Sequence, residues 1–258
     1  MTDTQWQTFC AFKDDFKQKI DFWHTQLQNA NLHAELKKLQ QNAAEKDGVP
    51  PYEISHPFVY NRSLDDIKKT DTISLIMIGD NPGKNEQLAE NRRYLVGQSG
   101  KIAENFFARN PELHTDFRKN VIILNKTPLH TAKTKELVSI RKSHALFDRI
   151  ITESQLWFAE STAKLHRALC EDSDTPCELW IVGYAELKGR GLFTSYRDAL
   201  FNAYNDFAKS AWQYVFVYQH FSMNRFLIDL KQRYCTDLSL KENLKSVGAM
   251  HRKEIFGE

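Results

Sequence analysis

The sequence predicts a three-layer α/β/α fold with a central, mainly parallel four-stranded sheet and an N-terminal helical extension. Two observations support this fold class. Beyond residue 49, short apolar runs alternate with amphipathic stretches, which is typical of parallel sheets covered by helices on both faces. The first 48 residues instead repeat apolar side chains every three or four positions, which indicates helix. We therefore divide the chain into an extension over residues 1–48, packed on the core, and an α/β domain over residues 49–258.

The extension is predicted to be a helical hairpin. Its first arm carries apolar residues at helical spacing, namely Trp6, Phe9, Phe12, Phe16, Ile20, Trp23 and Leu27. After a polar break at residues 29–31 the spacing continues, with Leu32, Leu36, Leu39 and Ala43. The run Asp47-Gly48-Val49-Pro50-Pro51 then ends it, because glycine and proline do not continue a helix.

Four apolar runs rich in β-branched and aromatic residues are predicted as buried strands. They cover residues 73–79, 120–125, 179–183 and 214–219. The predicted helices cover residues 100–109, 135–151, 153–170, 195–209 and 223–233. Because ligands of such folds bind at the carboxyl ends of the strands, functional residues are expected directly after each run.

Composition excludes several classes of protein. The chain has 258 residues, of which 41% are apolar, so it can bury a core without a disulfide or a metal. It has no apolar run near 20 residues, and its N-terminus is polar, so neither a membrane span nor a secretory signal is predicted. We therefore expect a cytoplasmic protein that does not contact a membrane.

The cysteines indicate neither a metal site nor a cofactor. Cys10, Cys170, Cys177 and Cys235 lie far apart, except for one pair separated by six residues. This spacing matches neither a zinc ribbon nor a disulfide framework. We expect buried free thiols, with no metal and no cofactor.

Polar clusters follow three of the four predicted strands. The first strand is followed by Gly79-Asp80-Asn81-Pro82-Gly83-Lys84, the second by Asn125-Lys126-Thr127-Pro128-Leu129-His130, and the last by Gln219-His220-Phe221-Ser222-Met223-Asn224-Arg225. The third strand ends in Gly183-Tyr184-Ala185-Glu186, which is predicted to be an ordinary turn. Three polar strand ends in one sheet favour a functional site over isolated turns and caps.

The first cluster does not match the common phosphate-binding loops. Three residues separate Gly79 from Gly83 where a P-loop needs four, and Asn85 stands at the position of its Ser or Thr. A dinucleotide fingerprint also fails, because a third glycine at the required spacing is missing.

Four segments of the chain instead resemble motifs of the uracil-DNA glycosylase superfamily. Three are Gly-Asp-Asn-Pro-Gly after the first strand, Asn-x-x-Pro-Leu after the second and His-x-Ser after the last. The fourth, residues 92–101, is similar to the Pro-Phe-Val-Gly-x-Ala-Gly stretch of the iron–sulphur uracil-DNA glycosylases. The motifs occur in the family's order, and the resemblance covers about residues 70–230.

The resemblance implies roles for individual residues. Asn81 falls where the single-strand-selective and mismatch-specific enzymes also have Asn, and Asp80 falls where the iron–sulphur enzymes have Glu. Either side chain is expected to position the attacking water, and which of them does so is open. His220 matches the catalytic histidine, which would donate to O2 of the departing uracil. Asn125 matches the asparagine that reads the uracil edge, since an amide both donates and accepts.

Further residues follow from the same comparison. Those expected to bind the base, besides Asn125, are Pro82, Gly83, Tyr94, Leu95 and Ser222, with Tyr94 or Leu95 as the pocket wall. Those expected to contact DNA are Arg92, Arg93, Lys126, Met223, Asn224 and Arg225, the last three near the wedge that replaces the extruded base.

The chain also departs from the family pattern. Leu95 stands where relatives have the Phe that stacks on uracil, and Phe221 and Met223 stand where Pro or a small residue is usual. Gly83 replaces the tyrosine that blocks 5-methyl pyrimidines in the classical enzymes. The paired N-terminal cysteines of the iron–sulphur enzymes have no counterpart beyond Cys10, so no cluster is expected.

The leading hypothesis is a monofunctional, monomeric DNA glycosylase that removes uracil or a related deaminated base. The alternative is a glycosylase-fold protein that binds nucleic acid or a free base without cleaving it. A third class, a small-molecule hydrolase, is disfavoured because the sequence lacks the Gly-x-Ser-x-Gly elbow.

The net charge of +2 hides a basic segment over residues 84–142, which has twelve Lys or Arg against six Asp or Glu. This segment is expected to face the DNA backbone.

Overall fold

The computed structural model describes residues 1–171, 175–205 and 210–257. Within these ranges one sheet contains four strands, which are β1 (Leu75–Gly79), β2 (Val121–Asn125), β3 (Glu178–Val182) and β4 (Val215–Tyr218). The order across the sheet is β2-β1-β3-β4, and every neighbouring pair is parallel. Helices cover the sheet on both sides, so the predicted three-layer α/β/α fold is confirmed.

Eight α-helices are present in the described ranges. They are α1 (Asp3–Asn29), α2 (His33–Lys46), α3 (Gln98–Arg109), α4 (Leu137–Ser143), α5 (Ala145–Cys170), α6 (Thr194–Asn205), α7 (Arg225–Gln232) and α8 (Leu240–Phe256). Each helix except α1 and α2 lies after β1 in the chain. Because all strands are parallel, these crossings bring the carboxyl ends of the strands to one edge of the sheet.

The N-terminal helix α1 packs directly on α5 through aromatic side chains. It begins with a capping box, in which Thr2 and Gln5 satisfy each other's backbone N–H. Phe12 stacks on Trp157 of α5 with ring centroids 5.8 Å apart. The predicted apolar stripe is buried from Phe9 onwards and joins the same continuous core as the sheet.

Helices α3, α7 and α8 pack against β3 and β4 of the sheet. Trp180 of β3 packs on Phe107 of α3 and on Phe226 of α7, with centroid distances of 5.6 and 6.1 Å. Helix α8 lies against β4 at Gly248, where a Cβ would overlap the side chains of Phe216 and Tyr218. Glycine is therefore required for the close approach of this helix to the sheet.

Several helix boundaries differ from the prediction. The break expected near residue 152 lies inside α5; the real break is at His144, which is extended and whose Nδ1 accepts a hydrogen bond from Leu146 N. Helix α7 begins at Arg225 instead of residue 223, because Met223 and Asn224 adopt left-handed conformations. The end of the helix predicted over 195–209 lies outside the described residues. Helix α8 was not predicted.

Two further expectations can be compared with the structure. In the described part of the chain, a search for long apolar helices finds no candidate membrane span. All four cysteines are free, and Cys177 is buried as expected. Cys235 is exposed, so the prediction of a buried thiol is wrong there, because this residue lies in the solvent-facing connection between α7 and α8.

Candidate functional site

A cavity of about 720 Å³ opens at the carboxyl edge of the sheet, where functional residues were expected. Residues that follow all four strands line it, together with residues from the connections β1–α3 and β2–α4. The lining includes Gly79, Asp80, Asn81, Gly83, Glu86, Leu95, Ser99, Asn125, Thr131, Ala132, Lys133, Thr134, Lys135, Gly183, Ala185, Glu186, Gln219, His220, Ser222, Met223 and Arg225. Its size is in the range of ordinary small-ligand sites.

A buried ion pair lies beneath the cavity floor. Lys126 is fully buried, and its Nζ donates to Asp80 Oδ1 at 2.6 Å, to Val182 O at 2.6 Å and to Gly79 O at 3.3 Å. Burial lowers the pKa of Lys126, and the adjacent carboxylate opposes this shift. The ammonium therefore joins the ends of β1 and β3 and fixes the Asp80 carboxylate at the cavity.

The prediction that Lys126 contacts DNA is wrong. A lysine after a strand is usually solvated, but here the side chain turns inward because Asp80 supplies the opposite charge and two carbonyls supply acceptors. Asp80 lines the cavity and is 8% exposed.

The seat of this carboxylate requires glycine at the end of β3. Gly183 has φ +101°, and a Cβ there would overlap Asp80 Oδ1. Gly183, Ala185 and Glu186 also line the cavity. The prediction that the third strand ends in an ordinary turn is therefore wrong, and the third strand end belongs to the site like the other three.

Replacing Gly183 with alanine is expected to lower the free energy of unfolding by about 2–3 kcal/mol. Two costs contribute, the strain of a positive φ in alanine and the displacement of the Asp80 carboxylate by the new Cβ. Urea denaturation measures the effect. Gly189→Ala is the matched control, because Gly189 also has positive φ but open space around its missing Cβ; about 1 kcal/mol is expected there. Equal losses in the two variants would show that Asp80 does not depend on this glycine.

Asn81 is anchored by the loop that follows β2. Its Nδ2 donates to Thr131 Oγ1 at 2.8 Å and to Leu129 O at 3.3 Å. This orients the amide so that Oδ1 is left as an acceptor, because within the described residues no hydrogen bond to Oδ1 is found. An amide oxygen held in this way can accept a hydrogen bond from a water molecule.

Asn125 ends β2 opposite Gly79 and lines the cavity. The residue is 2% exposed, and its Nδ2 has no partner in the described part of the chain. Its Oδ1 lies over Gly79, where a Cβ would overlap it. Buried amide groups are nearly always hydrogen-bonded, so an unpartnered donor in a cavity indicates a ligand-binding group.

His220 follows β4 and lines the same cavity. Its Nδ1 accepts a hydrogen bond from Ser222 N at 3.0 Å and lies 2.8 Å from Ser222 Oγ. Burial lowers the pKa of His220 below its ordinary value of 6.5, while Asp80 opposes the shift. The imidazole is therefore neutral at pH 7, and because Nδ1 is the acceptor, the proton lies on Nε2.

The wall formed by the β1–α3 connection contains a buried carboxyl group. Glu86 accepts from Gly83 N at 3.2 Å and from Leu95 N at 3.0 Å, and burial raises its pKa to about 7. Leu95 is 5% exposed and lines the cavity with φ +52°.

Two of the residues that were expected to bind the nucleobase do not line the cavity. Tyr94 is fully buried, and its hydroxyl donates to Val59 O at 2.6 Å. Of the two residues predicted as alternatives for the wall, Leu95 lines the cavity and Tyr94 does not, so the prediction that Tyr94 binds the base is wrong. Pro82 is buried as well, and its carbonyl accepts from His130 Nδ1 and Thr131 N. Pro82 does not line the cavity, and its hydrogen bonds connect the loop after β1 to the loop after β2.

The arginines at residues 92 and 93 also lie away from the cavity. Arg92 borders a separate cavity of about 280 Å³ together with Lys17 and Asp65. Arg93 forms an ion pair of 2.6 Å with Asp66. Their contact with DNA stays a prediction, and the structure does not bring either residue to the cavity rim.

The rim itself is formed by other exposed residues. Met223 is 72% exposed at the rim, and Arg225 lies beside it. Asn224 borders a neighbouring cavity of about 350 Å³ beside α3. Lys133 and Lys135 also line the cavity, where Lys133 donates to Asp47 O at 2.6 Å and Lys135 forms an ion pair with the Asp47 carboxylate.

Sequence reasoning missed the residues contributed by connections. Thr131, Lys133 and Lys135 belong to the site, although only the polarity of the segment after Asn125 pointed to them. Glu86 was also missed, and no local signal identifies it, because an acidic residue in a polar segment is normally solvent-exposed.

Comparisons of the chain with models of protein families, with curated proteins and with solved structures find no match. The function proposed below therefore rests on the geometry of the cavity and on the motif resemblance.

Proposed function

We propose that this protein is a monofunctional DNA glycosylase that hydrolyses the N-glycosidic bond of uracil or a related deaminated base. The observation that carries the proposal is the convergence of Asn81, Asp80, Asn125 and His220 on one cavity at the carboxyl edge of the sheet. These are the residues to which the motif resemblance assigns the chemistry and the base recognition.

His220 acts on the leaving group. Cleavage expels an anionic base, and a preorganised donor facing the developing charge lowers the barrier. The backbone N–H of Ser222 occupies Nδ1, so Nε2–H is the donor that remains for O2 of the base. A neutral imidazole is sufficient for this role.

Asn81 and Asp80 act on the water. The Asn81 amide is fixed by Thr131, and its Oδ1 is an acceptor for a water molecule that attacks the sugar. The Asp80 carboxylate, fixed by Lys126, places negative charge at the same end of the cavity, where the sugar becomes electron-poor.

Asn125 reads the base. Its Nδ2–H group donates to a carbonyl oxygen of uracil, and its Oδ1 accepts from the ring N–H. Cytosine presents an acceptor and an amino group in the reverse arrangement, which leaves both groups of Asn125 unpaired. A site of this kind discriminates strongly, because the wrong base leaves buried polar groups unsatisfied.

The partner is DNA with its target base turned out of the stack. We expect Met223 at the rim to fill the vacated position, and Arg225, Lys133 and Lys135, which also line the cavity, to contact phosphates. The proposal includes a single chain as the acting unit and the cytoplasm as its compartment.

Release of free base from defined oligonucleotides tests this function. We expect release from uracil-containing substrates, single-stranded or paired with guanine, and none from cytosine in the same sequence. The panel also contains hypoxanthine, xanthine and G·T mismatches, because Gly83 leaves open space where a side chain would stand. Absence of cleavage on every substrate would contradict the enzymatic proposal.

One observation favours a second candidate, a protein of this fold that binds DNA or a free base without cleavage. In the described ranges, the cavity lining contains no Phe, Tyr or Trp on which a base could stack. Inert oligonucleotides combined with binding that weakens steeply with salt would support this candidate.

A further inference from the structure

Glu86 joins two walls of the cavity that belong to different parts of the β1–α3 connection. Its Oε2 accepts from Gly83 N at 3.2 Å, and its Oε1 accepts from Leu95 N at 3.0 Å. The residue is 7% exposed and lines the cavity. Neither wall residue has a side chain that could form such a link itself.

The backbone conformation of Leu95 needs hydrogen bonds from other residues to stabilise it. Leu95 has φ +52°, a conformation that costs energy in a residue with a branched side chain. Its carbonyl accepts from Arg118 Nη2 at 2.8 Å, and Arg118 is paired with Glu104 at 3.0 Å. Glu86 on the N–H and Arg118 on the carbonyl therefore fix this residue from both sides.

Glu86 itself is held on a fixed backbone. The next residue, Gln87, is fully buried, and its Oε1 accepts from Ser55 N at 2.7 Å while its Nε2 donates to Glu53 O at 2.8 Å. The carboxylate is thus placed by a rigid segment, which is what a group needs if it is to set the position of others.

We propose that Glu86 is a positioning residue that holds the Gly83 and Leu95 walls at the spacing into which a single extruded base fits. We call the two hydrogen bonds that Glu86 accepts from Gly83 N and Leu95 N the hold. The hold is independent of any reaction, whereas its effect on a base rests on the proposed function. Glu86 is not assigned a chemical step.

The ionised form of Glu86 makes the complete hold. A carboxylate accepts both N–H groups, whereas protonation turns one oxygen into a donor and weakens one of the two bonds. Burial raises the pKa of Glu86 to about 7, and the two N–H groups and Arg118 oppose the shift. Tyr94, whose pKa is raised well above 10, faces Glu86 and stays neutral. The hold is therefore complete above pH 7 and weakens below it.

Amide NMR shifts test the hold without reference to activity. In the wild-type chain, the N–H resonances of Gly83 and Leu95 should shift together between pH 6 and 8 with one midpoint near 7. In Glu86→Gln this common titration should be absent, and Glu90→Gln, an exposed residue of the same connection, should leave it unchanged. If the two wild-type resonances do not titrate together, the proposed hold is wrong, even if Glu86→Gln fails to fold.

Base release tests the positioning role. At pH 8, Glu86→Gln should release base roughly 10- to 100-fold more slowly than wild type, the effect of losing a hydrogen bond to a charged group. The ratio should narrow at pH 6, where the wild-type group is largely protonated, while Glu90→Gln follows wild type throughout. A constant ratio at both pH values would overturn the positioning role. Inactive wild type with a normal NMR titration would instead refute the proposed function and leave the hold intact.

Discussion

Replacing His220 with alanine is expected to slow base release by a factor on the order of 10² to 10⁴, the usual contribution of one preorganised donor. The loss should appear in the single-turnover rate of the chemical step, with little change in the affinity for DNA, because Nε2–H interacts with charge that develops only in the transition state. Rapid-quench measurement of uracil release separates the two quantities.

The control for this variant is Ser222→Ala. It removes the Oγ partner of Nδ1 but keeps the backbone N–H that sets the tautomer, so we expect a loss of less than about tenfold. Replacing His114, an exposed histidine that does not line the cavity, with alanine should leave the rate of base release unchanged. If His220→Ala retains the wild-type rate, the assignment of the leaving-group donor is wrong.

Replacing Lys126 with methionine is expected to lower the free energy of unfolding by about 3–5 kcal/mol, because the variant leaves the Asp80 carboxylate buried without a counter-charge. The carbonyls of Val182 and Gly79 also lose the hydrogen bond from Nζ, while Gly79 O keeps the one from the backbone N–H of residue 126. Urea denaturation gives the change, and base release should fall in the same variant because Asp80 is no longer fixed.

The double variant Lys126→Met, Asp80→Asn separates charge from packing. It removes both charges, so it should recover a large part of the lost stability while base release stays low. Lys119→Met is the surface control, since the 3.8 Å pair with Asp116 is exposed and should contribute less than about 1 kcal/mol. If the double variant is no more stable than Lys126→Met alone, the unpaired charge of Asp80 is not the cause of the lost stability.

The sheet could be predicted because its signal is local. Fully buried parallel strands appear as continuous apolar runs, and residues 75–79 and 121–125 are buried at every position. The carboxyl edge of such a sheet is then known in advance. For this reason the sequence alone predicts that Asn81, Asn125 and His220 lie near one another, and all three line the cavity.

The orientation of individual side chains could not be predicted, because it depends on tertiary partners. Lys126 turns inward because Asp80, which follows a different strand, and the carbonyls of Gly79 and Val182 lie beside it. Tyr94 turns away from the cavity because Val59 O offers its hydroxyl an acceptor. Neither partner is close in sequence, so spacing alone carries no information about these contacts.

Helix α8 is a different case, since its signal was present in the sequence. Ser239 and Glu242 form a capping box at its start, and Gly257 ends it in a left-handed conformation. Both are recognised sequence signatures of helix termini. The break between α4 and α5 is harder to predict. His144 acts as the N-cap of α5, although histidine is not a usual N-cap residue.

The floor of the cavity also restricts how this sequence can change over time. Asp80, Lys126 and Gly183 satisfy one another, so a substitution at one of them leaves the others with an uncompensated charge or a steric overlap. We expect these three residues to be replaced together or not at all, whereas Met223 at the rim lies outside this set. Substrate preference can thus diversify at the entrance while the floor stays fixed.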